Sequence, residues 1–286
     1  HGTIRRYRSK IIVKSRFNMY INEQYKNLEL TTKESHLYIG RDGTTRSEEE
    51  MVLEEHLLNV YVNEQLTMKL ICIPEHLAEL VLGRLLTEGI IESTEDVESI
   101  YICEYGKRAK VVLKNSSPQM NVSTYVEETP TCCTGNHILN DYFITQTEVR
   151  PVTPINWKSD WIFALADHFS NGMPIHGQTW ATHSCFLAQN GELLFECEDI
   201  GRHNALDKAI GYALRHHIDL KNCIVYSSGR IPTDMILKAI RAGIPVLASK
   251  ASVTREAIEL AEEYHLTLIG AARRDRMKLY TGNGPM

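Results

Sequence analysis

Two adjacent cysteines, Cys132 and Cys133, are the residues of this sequence best suited to covalent chemistry. They lie in Thr-Cys-Cys-Thr-Gly-Asn, within a stretch of little periodicity that runs from residue 127 to 157 and holds three prolines. A thiolate can attack a persulfide and become one itself, so a cysteine on an accessible loop can carry sulfur between partners. The same pattern permits two inert, half-buried thiols. Adjacent cysteines chelate poorly compared with a two-residue spacing, so no metal site is predicted.

A second candidate is Glu-Asp-Ile-Gly-Arg-His-Asn-Ala-Leu-Asp-Lys, residues 198–208, which opens a predicted helix. Gly201 permits close backbone approach to a ligand. Arg202 and Asn204 can contact a phosphate or a purine edge, and His203 can exchange a proton near neutral pH. The amides and dipole of a helix N-terminus also favour an anion. The alternative is a loop whose charges pair with one another while Asn204 caps the helix.

Two shorter patterns also suit an anionic ligand. Ser228, Gly229 and Arg230 follow a predicted strand, at the kind of strand end where α/β sheets bind ligands. They do not form a P-loop, because the glycine spacing and the Lys-Ser/Thr pair are missing. The run Arg-Arg-Asp-Arg at 273–276 could clamp a polyanion, or could be an exposed charge run. His183 by itself is more typical of a structural histidine.

Composition limits the class of protein. The 286 residues favour two domains, and 43% hydrophobic residues can form a full core. The net charge of −5 gives no general support for nucleic-acid binding, and no apolar run approaches the roughly 20 residues of a membrane helix. Seven cysteines, an odd number spread over the whole chain, argue against a disulfide framework and favour a reducing, cytoplasmic setting.

The first half reads as mixed α and β structure. We predict a basic, partly flexible arm and loop over 1–50, a mixed α+β domain over 51–130, and a cysteine-bearing connection over 131–157. Residues 41–50 read as loop, and a short helix is possible near 137–142. Hydrophobic periodicity predicts a helix over 75–87 and antiparallel strands elsewhere. These strands are placed at 57–63, 65–73, 97–103, 109–113 and 120–126.

The second half, 158–286, reads as an α/β domain. A helix is predicted at 157–170, and Asn190-Gly191 indicates a hairpin between strands 184–188 and 192–196. Another helix is predicted at 205–215. Strands and helices then alternate, as expected for a largely parallel or mixed sheet covered by helices. They are strands 222–226, 244–248 and 266–270, and helices 233–242 and 254–264.

The run from Asn190 to Lys208 resembles the signature of the FdhD/NarQ family of formate dehydrogenase accessory proteins. Further similar segments occur in the family's order, and the resemblance covers roughly residues 54 to 282. These are Leu-Leu-Thr-Glu-Gly-Ile-Ile from Leu85, Ser-Gly-Arg from Ser228, Arg-Ala-Gly-Ile-Pro-Val from Arg241, and Tyr-Thr-Gly from Tyr280.

The resemblance implies a sulfurtransferase. Members take persulfide sulfur from a cysteine desulfurase. They pass it to the molybdenum bis-molybdopterin guanine dinucleotide cofactor before that cofactor enters apo formate dehydrogenase. It also implies a homodimer and a C-terminal three-layer α/β/α sandwich resembling the cytidine deaminase fold, beside a smaller mixed α+β domain.

The resemblance places the persulfide on Cys133, with Cys132 as a second thiol, and cofactor binding on Ala271, Ala272, Arg273, Arg274, Asp275 and Arg276. His183 and the groups at 201–204 and 228–230 would join this binding side. Two departures are visible. Many members have a second cysteine where Asn136 stands, and the family commonly has Thr-Gly-Gly where this chain has Thr179, Trp180 and Ala181.

Two other functions are the alternatives, and the sequence argues against the first of them. A zinc nucleoside deaminase would need His-x-Glu and Pro-Cys-x-x-Cys, but Ser184 and Cys185 follow His183, and the sequence contains no Pro-Cys-x-x-Cys. A non-catalytic chaperone that binds the cofactor and apo formate dehydrogenase would need no thiol at all.

Overall fold

The computed structural model describes residues 19–114, the backbone of 128–129, and residues 149–286. The basic arm at 1–16, the strand at 120–126, the helix at 137–142 and the cysteine pair lie outside these residues. The N-terminal part is built from the following elements: β1 (Tyr20–Glu23), β2 (Thr31–Ile39), β3 (Thr45–Leu53), β4 (His56–Val62), β5 (Gln65–Cys72), α1 (Leu77–Thr87), β6 (Val97–Ile102), β7 (Arg108–Leu113) and β8 (Glu128–Thr129).

The N-terminal sheet has the strand order β1-β6-β7-β4-β5-β8. The expected antiparallel pairing holds for β4–β5 and β6–β7, whereas β4–β7, β1–β6 and β5–β8 are parallel. In β4, Leu58, Val60 and Val62 are fully buried and alternate with more exposed residues, the period of a half-buried strand. This sheet therefore has one face packed on the core.

The loop predicted at 41–50 is present only over 41–44, and residues 45–50 belong to strand β3. β2 and β3 form an antiparallel hairpin of nine residues a side, closed by a turn in which Gly43 has a φ of 84°. Most of its side chains are exposed, and Lys33 pairs with Glu49 across the strands. The charged, two-sided exposure removes the apolar alternation that identifies a strand, which explains why the prediction was wrong.

The C-terminal part alternates strands and helices largely as predicted. Its elements are α2 (Ser159–Ser170), α3 (His176–Thr179), β9 (His183–Gln189), β10 (Glu192–Asp199), α4 (Arg202–Arg215), β11 (Ile224–Ser227), α5 (Thr233–Arg241), β12 (Val246–Ser249), α6 (Arg255–Glu263), β13 (Thr267–Arg273) and β14 (Arg276–Thr281). The strand order is β10-β9-β11-β12-β13-β14, in which β11, β12 and β13 are parallel neighbours.

The C-terminal sheet lies between two helical layers. Side chains of β9 and β11 alternate between two hydrophobic clusters. Phe186 and Tyr226 pack with α2 on one face, while Leu187 and Val225 pack with α4, α5 and α6 on the other. The predicted helix–sheet–helix layering is thus present, and its likeness to the cytidine deaminase fold stays a prediction.

Helix α1 belongs to the N-terminal half in sequence but packs directly on α4. A Cβ added at Gly83 would lie 1.9 Å from the backbone oxygen of Asp207, and one at Gly211 would lie 1.8 Å from that of Glu79. The two backbones touch because both helices carry glycine at the crossing. One hydrophobic cluster consequently runs from the N-terminal sheet through α1 into α4, α5 and α6.

Candidate functional site

The candidate site lies at one edge of the C-terminal sheet. β11, β12 and β13 are parallel, so their carboxyl ends meet there, and the antiparallel β9 begins and β10 ends at the same edge. In α/β sheets this edge is the preferred place for a ligand. The topology brings together the predicted binding residues, namely His183 and the segments 201–204, 228–230 and 271–276.

The loop after β11 is fixed by hydrogen bonds to both neighbouring strands. Ser228 donates its amide to the Ser184 oxygen at 3.0 Å and accepts the Ser184 amide on Oγ at 2.9 Å. Ser249 Oγ donates to the Gly229 oxygen at 2.6 Å. A Cβ at Gly229 would lie 2.9 Å from Arg202 Cβ and 3.3 Å from His183 Nδ1. Glycine is therefore what allows Arg202 and His183 to approach this loop.

Lys250, which sequence patterns did not single out, lies at the centre of the edge. Its amide donates to the Ser227 oxygen at 3.0 Å, and its Nζ lies 4.4 Å from the centre of the Phe169 ring. Within the described residues, no carboxylate forms an ion pair with Lys250, Arg230 or Arg273. The position directly after a short buried strand, β12, is the signal that could have identified it.

The segment 271–276 forms the end of β13 and its turn into β14. Ala271 has a φ of 49° at an irregularity in the strand pairing, and its amide donates to the Ala251 oxygen at 2.8 Å. Ala272 is buried, and its carbonyl accepts the Tyr226 hydroxyl at 2.9 Å, so its side chain cannot reach a ligand. The side chains of Arg273, Arg274, Asp275 and Arg276 are exposed.

These arginines are neutralised to different degrees. Arg274 lies 3.5 Å from Asp167 and contacts Asn171 near the C-terminal end of α2. Arg276 is 3.9 Å from Asp275. Arg274 and Arg276 lie at the same edge as Arg230, Lys250 and Arg273. This edge therefore carries an excess of positive charge, which suits a polyanion.

Helix α4 begins at Arg202, three residues earlier than predicted, and places His203 beside α5. His203 Nε2 donates to Asp234 Oδ2 at 2.6 Å. Burial lowers the pKa of His203 and outweighs the opposing effect of Asp234. Burial would raise the pKa of Asp234, but the hydrogen bond from His203 leaves it lowered. Burial and then the charge of Arg202 lower the pKa of His183.

The remainder of the 198–208 segment faces inward. Asn204 donates its side-chain amide to the Ile71 oxygen at 2.8 Å and to Asp199 at 2.9 Å. Lys208, fully buried, pairs with Asp199 at 2.7 Å and donates to the Ile73 oxygen at 3.1 Å. These contacts join β10 and α4 to the N-terminal sheet. Asp199 and Lys208 thus pair with each other, as the alternative interpretation of this segment expected. A ligand role for Asn204 stays a prediction.

Five cysteines lie within the described residues, and none is paired. Burial raises the pKa of the Cys197 thiol to about 12 and that of Cys223 to about 11, and it raises the pKa of Cys72 and Cys185 further. Such thiols hold little thiolate at neutral pH. Cys103 is half-buried. Cys132 and Cys133 lie outside the residues that the structure describes.

Residues 19–114 and 149–286 hold no group of three or more His, Cys, Asp or Glu side chains placed to bind a metal ion. Each helix in this part of the chain is too short or too polar to cross a membrane.

Comparison with known proteins adds an independent line of observation. The "Sulfur carrier protein FdhD" of Listeria monocytogenes serotype 4b is 33% identical over 243 residues, which cover 84% of this chain and 93% of that protein. The protein of the same name from Bacillus pumilus is 33% identical over 244 residues, 84% of this chain and 92% of its own length.

A solved structure from Desulfotalea psychrophila, described provisionally as a formate dehydrogenase accessory protein, superposes with a TM-score of 0.72 at 25% identity. The match covers 89% of this chain and 98% of that one. The model of the FdhD/NarQ family matches residues 53–286, most of the chain. The site at the sheet edge is thus carried by a chain that belongs to the FdhD/NarQ family.

Proposed function

We propose that this chain is a sulfur carrier that serves formate dehydrogenase. In this proposal it takes persulfide sulfur from a cysteine desulfurase and passes it to the molybdenum bis-molybdopterin guanine dinucleotide cofactor, which is its cargo. The relatives named as sulfur carriers and the provisionally described accessory protein support the role. Action as a homodimer in the cytoplasm is part of the same proposal.

The observation that carries the binding half of the proposal is the set of cations without carboxylate partners at the sheet edge. Lys250 directly follows β12, Arg230 lies three residues after β11, and Arg273 is the last residue of β13, so the three cations lie at the carboxyl ends of three adjacent parallel strands. A diphosphate carries several anionic oxygens, which more than one of these cations can contact. The residues therefore fit an anionic, phosphorylated cargo better than a small neutral substrate.

The thiol half rests on which cysteines can act. Four of the five described thiols are buried with raised pKa values, which makes them poor nucleophiles. This favours Cys133, with Cys132 beside it. In the loading step the Cys133 thiolate attacks the outer sulfur of the desulfurase persulfide. The donor S–S bond breaks, the donor cysteine leaves as a thiolate, and Cys133 becomes the persulfide with no net change in electrons.

The test is to load the protein with a desulfurase and cysteine and to map the persulfide by mass spectrometry. Cys133→Ala should abolish loading, and Cys132→Ala should retain at least part of it. Cys103→Ala is the matched control, because Cys103 is the half-buried described thiol, and it should load normally. Normal loading and transfer by Cys133→Ala would refute the assignment of that residue.

A non-catalytic chaperone is the second candidate, since the same cationic edge would hold the cofactor without any sulfur transfer. The double variant Cys132→Ala, Cys133→Ala separates the two. Loss of formate dehydrogenase activation with retained cofactor binding supports the carrier. Retained activation supports the chaperone.

A further inference from the structure

Trp180 is the most exposed large apolar side chain among the described residues, at 80%. Its sequence neighbours Gln178 and Ala181 are exposed as well. Its backbone has a φ of 55°, in the left-handed region that a bulky residue rarely adopts. The left-handed backbone costs stability, and such costs concentrate where a residue serves a ligand.

The turn that carries Trp180 is held rigidly. Buried Glu198 accepts the amides of Ile175 and His176 at 2.8 and 2.7 Å and the Thr182 hydroxyl at 2.8 Å. His176 Nδ1 lies 2.9 Å from the Thr182 oxygen, and the Trp180 amide donates to the His176 oxygen at 2.9 Å. The indole is therefore presented by a fixed backbone, which limits the entropy lost when a ligand contacts it.

A row of rings connects Trp180 to the cationic edge. The Trp180 ring lies 5.4 Å from His176, His176 lies 5.8 Å from Phe169, and Phe169 lies 4.4 Å from Lys250 Nζ. All three steps lie on the α2 side of the sheet, where Arg274 also contacts the end of α2. The indole and the lysine are thus no farther apart than these three short steps combined, a span that one nucleotide can bridge.

We propose that Trp180 is a stacking platform for a planar heteroaromatic ring of the anionic ligand, while the cations at 230, 250 and 273 hold its phosphates. This rests on the proposed function, because it assumes that the edge binds a phosphorylated cargo. A purine or pterin ring has the flat face that an exposed indole recognises. The ring series from Trp180 to Lys250 fits such a ligand, because the indole can contact the flat ring while the cations contact the phosphates.

The experiment measures binding of guanosine diphosphate and of inorganic pyrophosphate to the full chain by calorimetry. Trp180→Ala should weaken the nucleotide by about 10-fold or more and leave pyrophosphate unchanged, since stacking is lost and the cations are not. Trp180→Phe should stay within about 3-fold of the parent, because a ring face remains. Tyr105→Ala, at an exposed aromatic in the N-terminal part, is the control and should change neither affinity.

The outcomes separate the two proposals. If the parent protein binds neither probe, the anion-binding half of the proposed function fails, and the platform fails with it. If pyrophosphate binds and Trp180→Ala retains full nucleotide affinity, only the platform is refuted, and the anion-binding half of the proposed function stands. Equal weakening of both probes by Trp180→Ala would also refute stacking, because it would indicate a disturbed edge.

Discussion

His203 on α4 donates a hydrogen bond to Asp234 on α5 at 2.6 Å, and one turn further along both helices Asp207 accepts one from Lys238 at 2.9 Å. In the first pair the base lies on α4 and the acid on α5, and in the second pair the acid lies on α4 and the base on α5. We call the two pairs the outer and inner rungs of a ladder between the helices. The outer rung lies beside the candidate site, and the inner rung is fully buried and also contacts Arg84 of α1. The ladder thus links the sheet edge to the N-terminal half.

The outer rung predicts a neutral His203 at pH 7. Its pKa is lowered below the usual 6.5, so the unfolded chain binds more protons than the native one as pH falls past that value. This histidine's contribution to stability is therefore present above about pH 6.5 and lost below it. NMR titration of His203, assigned with His203→Gln, should show the low pKa, and Asp234→Asn should lower it further. A rise in Asp234→Asn would contradict the pairing.

The inner rung predicts a large loss of stability for Lys238→Met. In this variant the fully buried Asp207 would keep its hydrogen bonds from Arg84 and Thr87, but it would lose its shortest ionic contact, which is with Lys238. Removing one partner of such a cluster costs about 3–5 kcal/mol in the free energy of unfolding, measured with urea. Arg255→Met, which removes the exposed pair with Glu259, should leave the urea midpoint unchanged. A small effect of Lys238→Met would show that the cluster relaxes or takes in water.

At the two glycines of the helix crossing, we expect alanine to destabilise the protein, although alanine usually stabilises a helix. Alanine normally stabilises a helix relative to glycine by up to about 1 kcal/mol. At Gly83 and Gly211 the added Cβ meets backbone at 1.9 and 1.8 Å, so α1 and α4 must separate. We expect each alanine variant to lose about 1–3 kcal/mol or more in urea unfolding. Gly177→Ala in α3, where nothing lies within 4 Å of the new Cβ, should lose nothing.

The unpaired cations predict a salt-dependent anion affinity. Lys250→Ala and Arg273→Ala should each weaken pyrophosphate binding by about 10-fold at low salt, the loss of one charge-assisted hydrogen bond. The difference from the parent should shrink as salt is raised, because exposed charges are screened. Calorimetry at two salt concentrations is the measurement, and Arg255→Ala is the control. Unchanged affinity in both variants would place the anion elsewhere.

Sequence periodicity predicted the α/β half well because its elements are local. The helices predicted at 157–170 and 233–242 are present as Ser159–Ser170 and Thr233–Arg241. Strand alternation also placed the 228–230 segment at a strand end, whereas the family resemblance joined it to 271–276 on one binding side.

Two features escaped prediction for a physical reason. Asn204 and Lys208 carry residue types that suit a ligand, but their partners are backbone oxygens at Ile71 and Ile73, over 130 positions away in sequence. No local pattern encodes such a pairing. Lys250 was missed for the opposite reason, because a single lysine after a short apolar run becomes notable only once its strand is known to be central.

The glycine contact between α1 and α4 has a consequence for how this chain can be divided. An excised C-terminal half would expose the apolar face of α4 and leave Asp207 without Arg84. Each half therefore contributes side chains to the core of the other. Chimaeras between relatives should therefore succeed when α1 and α4 are exchanged together and fail when they are exchanged singly. The two halves should therefore be inherited together, even though the sequence predicts a domain connection between them.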